Sequence, residues 1–240
     1  DRLEHVGGNA WYTIANPTSK LQSEGTQYQL QWDIYDGNIE KLMSLDKYSY
    51  WPRKKEILFH FQETLDQYGV TPNIRLNTEV IDMTIEEDGN VYNKKYNMVL
   101  EPRGAAAEKA LDRLEDHPYP KCKVIACSGV FYYPGALVVP HRKTWPGEDI
   151  FGGQIGYGFS SEFDYSKVPG QKGIIIGMGA FAHENVRTFC ESGGSKCYVV
   201  ARHFNLMLPR AICWWMNQAT CPPTGAMCLN AMKPMYDLLN

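Results

Sequence analysis

No stretch of the chain approaches the ~20 consecutive apolar residues that a membrane-spanning helix needs. The longest apolar runs, such as Val124 to Val130, are strand-sized. Basic residues never cluster beyond Arg53-Lys54-Lys55, and the formal net charge is only −3. Electrostatics therefore give no reason to expect nucleic acid or an anionic membrane as partner. The 7 cysteines form no C-x-x-C pair and no Cys/His cluster at zinc spacing, so no metal site is expected. They read as free thiols of a reducing, cytoplasmic compartment rather than a disulfide framework. A nucleophile elbow is missing too, which removes a Ser-His-Asp hydrolase from consideration. The chain opens on Asp1 without a methionine or signal-peptide character, so the natural N-terminus is expected upstream.

What is there is an ordinary globular composition, 44% hydrophobic and 21% charged, over 240 residues, enough for one large domain or two smaller ones. Residues 1–50 show little helical periodicity, with Gly7-Gly8 marking a turn. Ile57, Leu58, Phe61, Leu65 and Tyr68 recur at helical spacing after Pro52, and Gly69 stands where that helix should stop. Ile74 to Leu76, Glu79 to Glu86, Val91 to Leu100 and Lys123 to Cys127 read as strands, the last of buried type. Asp88-Gly89-Asn90 is a hairpin signal, and the acids before it are its solvated end. Gly104 to Asp116 reads as a short helix. Prolines and glycines crowd Tyr133 to Gly158, the best place for an interdomain connection. Two more helices are expected near Arg210 to Gln218 and Ala226 to Leu239. Trp214, Trp215 and Met207, Met216, Met227, Met232 and Met235 then serve helical packing. His60 reads as structural, and Cys127 and Cys190 as inert.

The strongest constellation lies between Lys172 and His203. An Ile-rich strand, Gly173 to Ile176, runs into Gly177-x-Gly179-x-x-Ala182, then helix Ala182 to Cys190, then strand Cys197 to Ala201. This is the context in which a glycine pattern reads as a dinucleotide-binding β-α-β unit. Gly177 would allow the tight turn, and Gly179 a close approach of backbone to pyrophosphate. Ala182 is small enough for helix to pack on strand. The helix N-terminus then offers N–H groups and the positive end of its dipole to the anion. Where an acid would select NAD, Arg202-His203 suits the 2′-phosphate of NADP.

With those residues in view, the chain resembles the flavin-containing monooxygenases and their Baeyer–Villiger and N-hydroxylating relatives (class B flavoprotein monooxygenases). Gly7-Gly8-Asn9-Ala10-Trp11 is similar to the family's G-G-x-W with one extra residue, and Asn16-Pro17-Thr18-Ser19-Lys20 to its N-T/S-S-K segment, also one longer. Tyr50-Trp51-Pro52, Thr78-Glu79-Val80, Cys127-Ser128-Gly129 and Pro146-Gly147-Glu148-Asp149 through Phe151 follow in family order, ahead of the second glycine motif. The resemblance implies an α/β fold of two Rossmann-like dinucleotide-binding domains. Residues 1–150 would form a partial FAD-binding domain and 151–240 an NADPH-binding domain. It implies FAD and NADP as cofactors, and O2 and a small amine or sulfide as substrates, oxygenated through a flavin C4a-(hydro)peroxide. Gly7, Gly8, Trp11, Val80, Ser128 and Gly129 would lie along the FAD. Asn16 would be the catalytic amide beside the reactive flavin oxygen, a neutral donor that stabilises charge without protonating it away.

Three departures accompany the resemblance. The linker fingerprint F-x-G-x-x-x-H is met at Phe151 and Gly153 but has Tyr157 in place of histidine, with Ser161 where an aromatic belongs. Ala180-Phe181 replaces a small polar pair, so Phe181 would crowd or cover the pyrophosphate. The family's first glycine motif would lie upstream of residue 1, and the 240 residues alone are not expected to hold FAD firmly. An NADPH-dependent flavin reductase or oxidase therefore stays open, as does a non-catalytic subunit that keeps the nucleotide fold as scaffold. Homo-oligomerisation or a place in a larger assembly is equally open.

Overall fold

The computed structural model describes residues 1–21, 49, 51–87, 94–135, 141–159, 162–203 and 234. Its architecture is mixed α/β, and the chain divides into two compact units, Asp1–Ile14 with Leu58–Lys143 and Ala15–Ile57 with Thr144–Asn240. Each unit draws on two separate segments of the sequence. Residues 15–20 find hydrogen-bond partners around Gly158 and Arg187, which no local pattern in the sequence announces.

In the first unit, Gly7 and Gly8 take φ of 116° and 61°, and a π-helical turn, Asn9–Ile14, follows. A side chain at Gly7 would put its Cβ 2.3 Å from Leu58 Cδ2, so glycine is required there by the protein's own packing. Strand β1 (Thr78–Glu87) pairs antiparallel with β2 (Lys94–Pro102), with a register shift between Val80 and Asp82. The hairpin turn expected at 88–90 lies outside the described residues. Adjacent Val99 and Leu100 are both buried. Because neighbours on a strand point to opposite faces, both faces of β2 are covered there.

Helix α1 (Lys54–Gln67) starts with a capping arrangement in which Glu56 accepts the Arg53 N–H at 2.8 Å. Its buried residues are Ile57, His60 and Thr64, while Tyr68 is 43% exposed. The buried stripe is thus rotated from the wholly apolar one the sequence suggests. The Thr64 hydroxyl donates to the His60 carbonyl at 2.8 Å, which lets a polar residue sit inside. Gly69, at φ 63°, follows the helix.

Two further expectations are corrected. Ile74 to Leu76 is no ladder strand: it follows a 3-10 turn, Thr71–Asn73, and its backbone bonds to the chain start. The Asp1 amine donates to the Arg75 carbonyl at 2.6 Å, and the Asn77 N–H to the Leu3 carbonyl at 2.9 Å. Helix α2 (Ala105–Leu111) is shorter than expected, because the chain turns after Leu111 and Glu115–Asp116 becomes strand β3. Strand β3 pairs with β4 (Lys123–Cys127), giving the antiparallel order β1-β2-β4-β3. Strand β4 is partly exposed rather than buried.

The second unit contains strand β5 (Lys172–Ile176), helix α3 (Ala180–Glu191) and strand β6 (Lys196–Val200). The two strands pair in parallel, Ile174 opposite Tyr198 and Ile176 opposite Val200. The crossover packs through Phe189, 5% exposed, whose ring occupies the space beside Gly173 and Gly194. A Cβ at Gly173 would stand 2.6 Å from that ring. Where two Rossmann-like sheets were expected, the described residues hold one parallel β-α-β unit and one wholly antiparallel sheet. No helix among the described residues is long and apolar enough to cross a membrane. The two expected C-terminal helices fall outside the described residues.

Candidate dinucleotide site

Strand β5 ends at Ile176, and Gly177 turns the chain with φ 118°, a region that side-chain-bearing residues rarely enter. The Gly177 N–H donates to the Val200 carbonyl at 2.8 Å, extending the parallel ladder by one bond before the turn. Gly179 is the N-cap of α3 in an extended conformation, φ −92°, and no side chain caps the helix. A Cβ built on Gly179 meets no atom of the described residues within 4 Å. Ala182 lies close behind the turn, 3.9 Å from where a Gly177 Cβ would be. Phe181 is half exposed, and its carbonyl is bound by Asn185. Arg202 is exposed just beyond β6.

Beside this turn lies a buried polar network. Asn16, 5% exposed, donates from Nδ2 to the Gly158 carbonyl at 2.9 Å and to Asn185 Oδ1 at 3.5 Å. Asn185, 7% exposed, donates from Nδ2 to the Gly158 and Phe181 carbonyls, both at 2.7 Å. Its Oδ1 also accepts from the Tyr165 hydroxyl. Burial pushes the Tyr165 phenol up to about 12, with a small opposing pull from the Arg187 charge, so it remains a neutral donor. Gly158 has φ 70°, and a Cβ there would stand 2.5 Å from Asn185 Nδ2. Only glycine lets the two carboxamides converge on that carbonyl.

A charged cluster holds the same segment one turn further along α3. Arg187 donates to the Thr18 carbonyl and to Glu184, each at 2.6 Å, and to Glu191 at 2.8 Å. Partial burial opposes its charge, but the two carboxylates outweigh that and hold the guanidinium above its ordinary range. Glu191 is correspondingly held below the usual carboxylate range by Arg187 and Lys20, against the opposing effect of burial. The Thr188 hydroxyl donates to the Glu184 carbonyl at 2.9 Å, so the Thr18 hydroxyl must be the donor in the 2.9 Å Thr18–Thr188 pair.

The structure thus gathers Gly177, Gly179, Ala182, Arg202 and Asn16 into one compact unit. Gly7, Gly8, Trp11, Val80, Ser128 and Gly129 fall in the other. Trp11 lies within the π-helical turn, Val80 is 53% exposed beside the β1 irregularity, and Ser128 and Gly129 are exposed beyond β4. The sequence reading passed over Asn185, Tyr165 and the contact role of Gly158. One signal was available: asparagine is a poor residue inside a helix unless its side chain has backbone partners. Among the described residues no group of His, Cys, Asp and Glu could hold a metal ion.

No family profile matches the chain. It is 24% identical over 169 residues to the flavin-containing monooxygenase FMO GS-OX3 of Arabidopsis thaliana, covering 62% of this chain and 33% of that protein. Its fold is similar to an open crystal structure of cyclohexanone monooxygenase, with TM-score 0.60 and 17% identity over 87% of this chain and 35% of that one. A cyclohexanone monooxygenase variant from Rhodococcus sp. Phi1, bound to NADP+, gives TM-score 0.59 and 18% identity over 87% and 34%. Tmm from Pelagibacter sp. strain HTCC7211 gives TM-score 0.57 and 16% identity over 87% and 45%. At such identities the structural matches speak for fold alone, and the curated match adds a distant likeness in sequence. The chain is thus similar in fold and, distantly, in sequence to flavin-dependent monooxygenases, and it spans about a third of the length of the curated relative it matches.

Proposed function

We propose that the chain supplies the NADPH-binding domain and part of the FAD-binding domain of a flavoprotein monooxygenase that uses NADPH and O2 to oxygenate a small amine or sulfide. The observation that carries this reading is the bare N-cap at Gly179, where an added Cβ would meet none of the described residues and a helix of 12 residues opens without a side-chain cap. In this reading residues 1–150 belong to the FAD domain and 151–240 to the NADPH domain, each Rossmann-like in its complete form.

The residues fit a dinucleotide diphosphate. Backbone N–H groups of the first α3 turn would bind its oxygens, Gly177 would set the turn, Ala182 would keep the helix close to the strand, and Arg202 would pair with the 2′-phosphate. Gly7, Gly8, Trp11, Val80, Ser128 and Gly129 would contribute to FAD binding. Flavin, when bound, supplies the reaction of reducing equivalents with dioxygen. Asn16 would contribute an oriented, neutral amide donor, which stabilises developing negative charge without transferring a proton. In the structure its Nδ2 bonds to Gly158 and Asn185, so it can turn to a ligand only by exchanging one of those partners. This engagement also favours the second reading, a flavin reductase or oxidase that never places Asn16 on oxygen. NADPH consumption that depends on the amine or sulfide supports oxygenation, whereas substrate-independent consumption with matching peroxide supports the second reading.

The direct test is calorimetric titration of the intact chain with NADPH and NADH, alongside Gly179→Val. Gly179 has ordinary extended dihedrals and open space, so the variant should keep the wild-type melting temperature. Its NADPH affinity should fall more than about tenfold, a loss of about 1.4 kcal/mol. Equal affinity in both proteins would remove the dinucleotide reading.

A further inference from the structure

We infer that Asn185 is a positioning residue that couples dinucleotide binding on the first turn of α3 to the state of the Asn16 amide. The inference rests on the dinucleotide reading of that turn and adds a role for a residue outside the glycine motif.

The orientation of the Asn185 carboxamide is fixed by its neighbours. Its Nδ2 faces two carbonyls, Gly158 and Phe181, and its Oδ1 faces two donors, the Tyr165 hydroxyl and Asn16 Nδ2. Turning it over would set oxygen against two carbonyls and nitrogen against the Asn16 amide, breaking three buried polar contacts, with only the Tyr165 hydroxyl able to reverse its role. Both Asn185 amide hydrogens and both Asn16 amide hydrogens are engaged, and the Gly158 carbonyl accepts from each residue. Such a network has few arrangements open to it, and a change at one end must be answered at the other.

One end is the peptide unit joining Phe181 to Ala182. Its carbonyl, that of Phe181, is bound by Asn185, and its N–H, that of Ala182, lies in the first helical turn that would receive the diphosphate. An anion on that N–H polarises the peptide, makes the carbonyl a stronger acceptor and draws Asn185 Nδ2 toward it. The opposite end is the Asn185–Asn16 contact, at 3.5 Å the longest in the network and the first to yield. Asn16 thus has two discrete states: held by Asn185 and Gly158, or partly released. Coupling of this kind needs a two-state element biased by the ligand, and the Asn16 amide is one.

The test uses the intact chain labelled with nitrogen-15, with the Asn16 side-chain amide signal assigned by its loss in Asn16→Asp. Saturating NADP+ should shift the Asn16 signal along the same binding curve that calorimetry gives. In Asn185→Leu, NADP+ should still bind while the Asn16 shift disappears. Tyr165→Phe removes only the hydroxyl that anchors Asn185 and should reduce the shift. It serves as the informative variant if Asn185→Leu does not fold. A purely structural Asn185 would leave the Asn16 response in place whenever NADP+ binds. An Asn16 signal that stays still at saturation in the wild-type chain, or moves undiminished in either variant, overturns the coupling and leaves the dinucleotide site standing. Absence of calorimetric NADP+ binding in the wild type overturns the site itself, and the coupling with it.

Discussion

Gly7 and Gly179 belong to similar glycine-rich turns in the two units, yet the protein needs them for opposite reasons. At Gly7 the backbone has φ 116° and a Cβ would collide with Leu58, so the chain's own packing fixes the residue. At Gly179 the backbone is ordinary and a Cβ would meet none of the described residues within 4 Å. A glycine explained by the fold says little about a ligand. One that the fold leaves unexplained points outward, and this is why the β5-α3-β6 unit carries the functional reading with more weight than residues 1–14 do.

Substitutions can break or sharpen that contrast. The largest effect is expected within the β-α-β unit but on its packed side. Gly173→Ala places a Cβ 2.6 Å from the Phe189 ring and should destabilise by about 1–3 kcal/mol in urea unfolding, with partial rescue by Phe189→Leu. Gly7→Ala should cost about 1–2 kcal/mol through its left-handed backbone while NADPH affinity stays unchanged. If it instead weakened NADPH binding at constant stability, the contrast with Gly179 would collapse.

Arg202→Gln should lower NADPH affinity about tenfold, the scale of one charged hydrogen bond, and leave NADH affinity alone. Titration with both nucleotides reads this directly. The smallest effect concerns Glu56. Partial burial alone would raise its carboxyl, but the Arg53 and Ser49 N–H groups, the Ser49 hydroxyl and the Arg53 charge hold it below its ordinary value of 4.5. Its folded value is depressed, so its contribution is complete above 4.5 and is lost as pH falls through the folded value. Glu56→Gln should therefore be slightly less stable than wild type near pH 7 and indistinguishable from it at about pH 2, as urea midpoints at the two pH values would reveal.

What could be read in the sequence follows the reach of each interaction. The β5-α3-β6 unit was legible almost residue by residue, because its strand, turn and helix signals sit within about thirty residues of one another. Strands β1, β2 and β4 were legible from alternation and turn signals. Ile74 to Leu76 misled, since an apolar triplet carries no record of whether a partner strand lies beside it. The α1 stripe misled because burial of Thr64 is supported by a side-chain-to-backbone bond that hydrophobic periodicity does not register. Asn185 offered only the weak signal of an asparagine inside a helix, because the importance of Asn185 and Gly158 lies in each other and in Asn16, far away along the chain.

That distance has a kinetic meaning. Asn16 and its acceptor Gly158 are 142 positions apart. During synthesis at about 5–20 residues per second, the Asn16 side-chain amide therefore waits roughly 7–28 s before its Gly158 acceptor exists. Until Asn185 follows, the amide has nowhere dry to go and must stay hydrated. Closure of this unit is thus a late event, and chain ends that stop short of α3 would release a segment unable to complete itself.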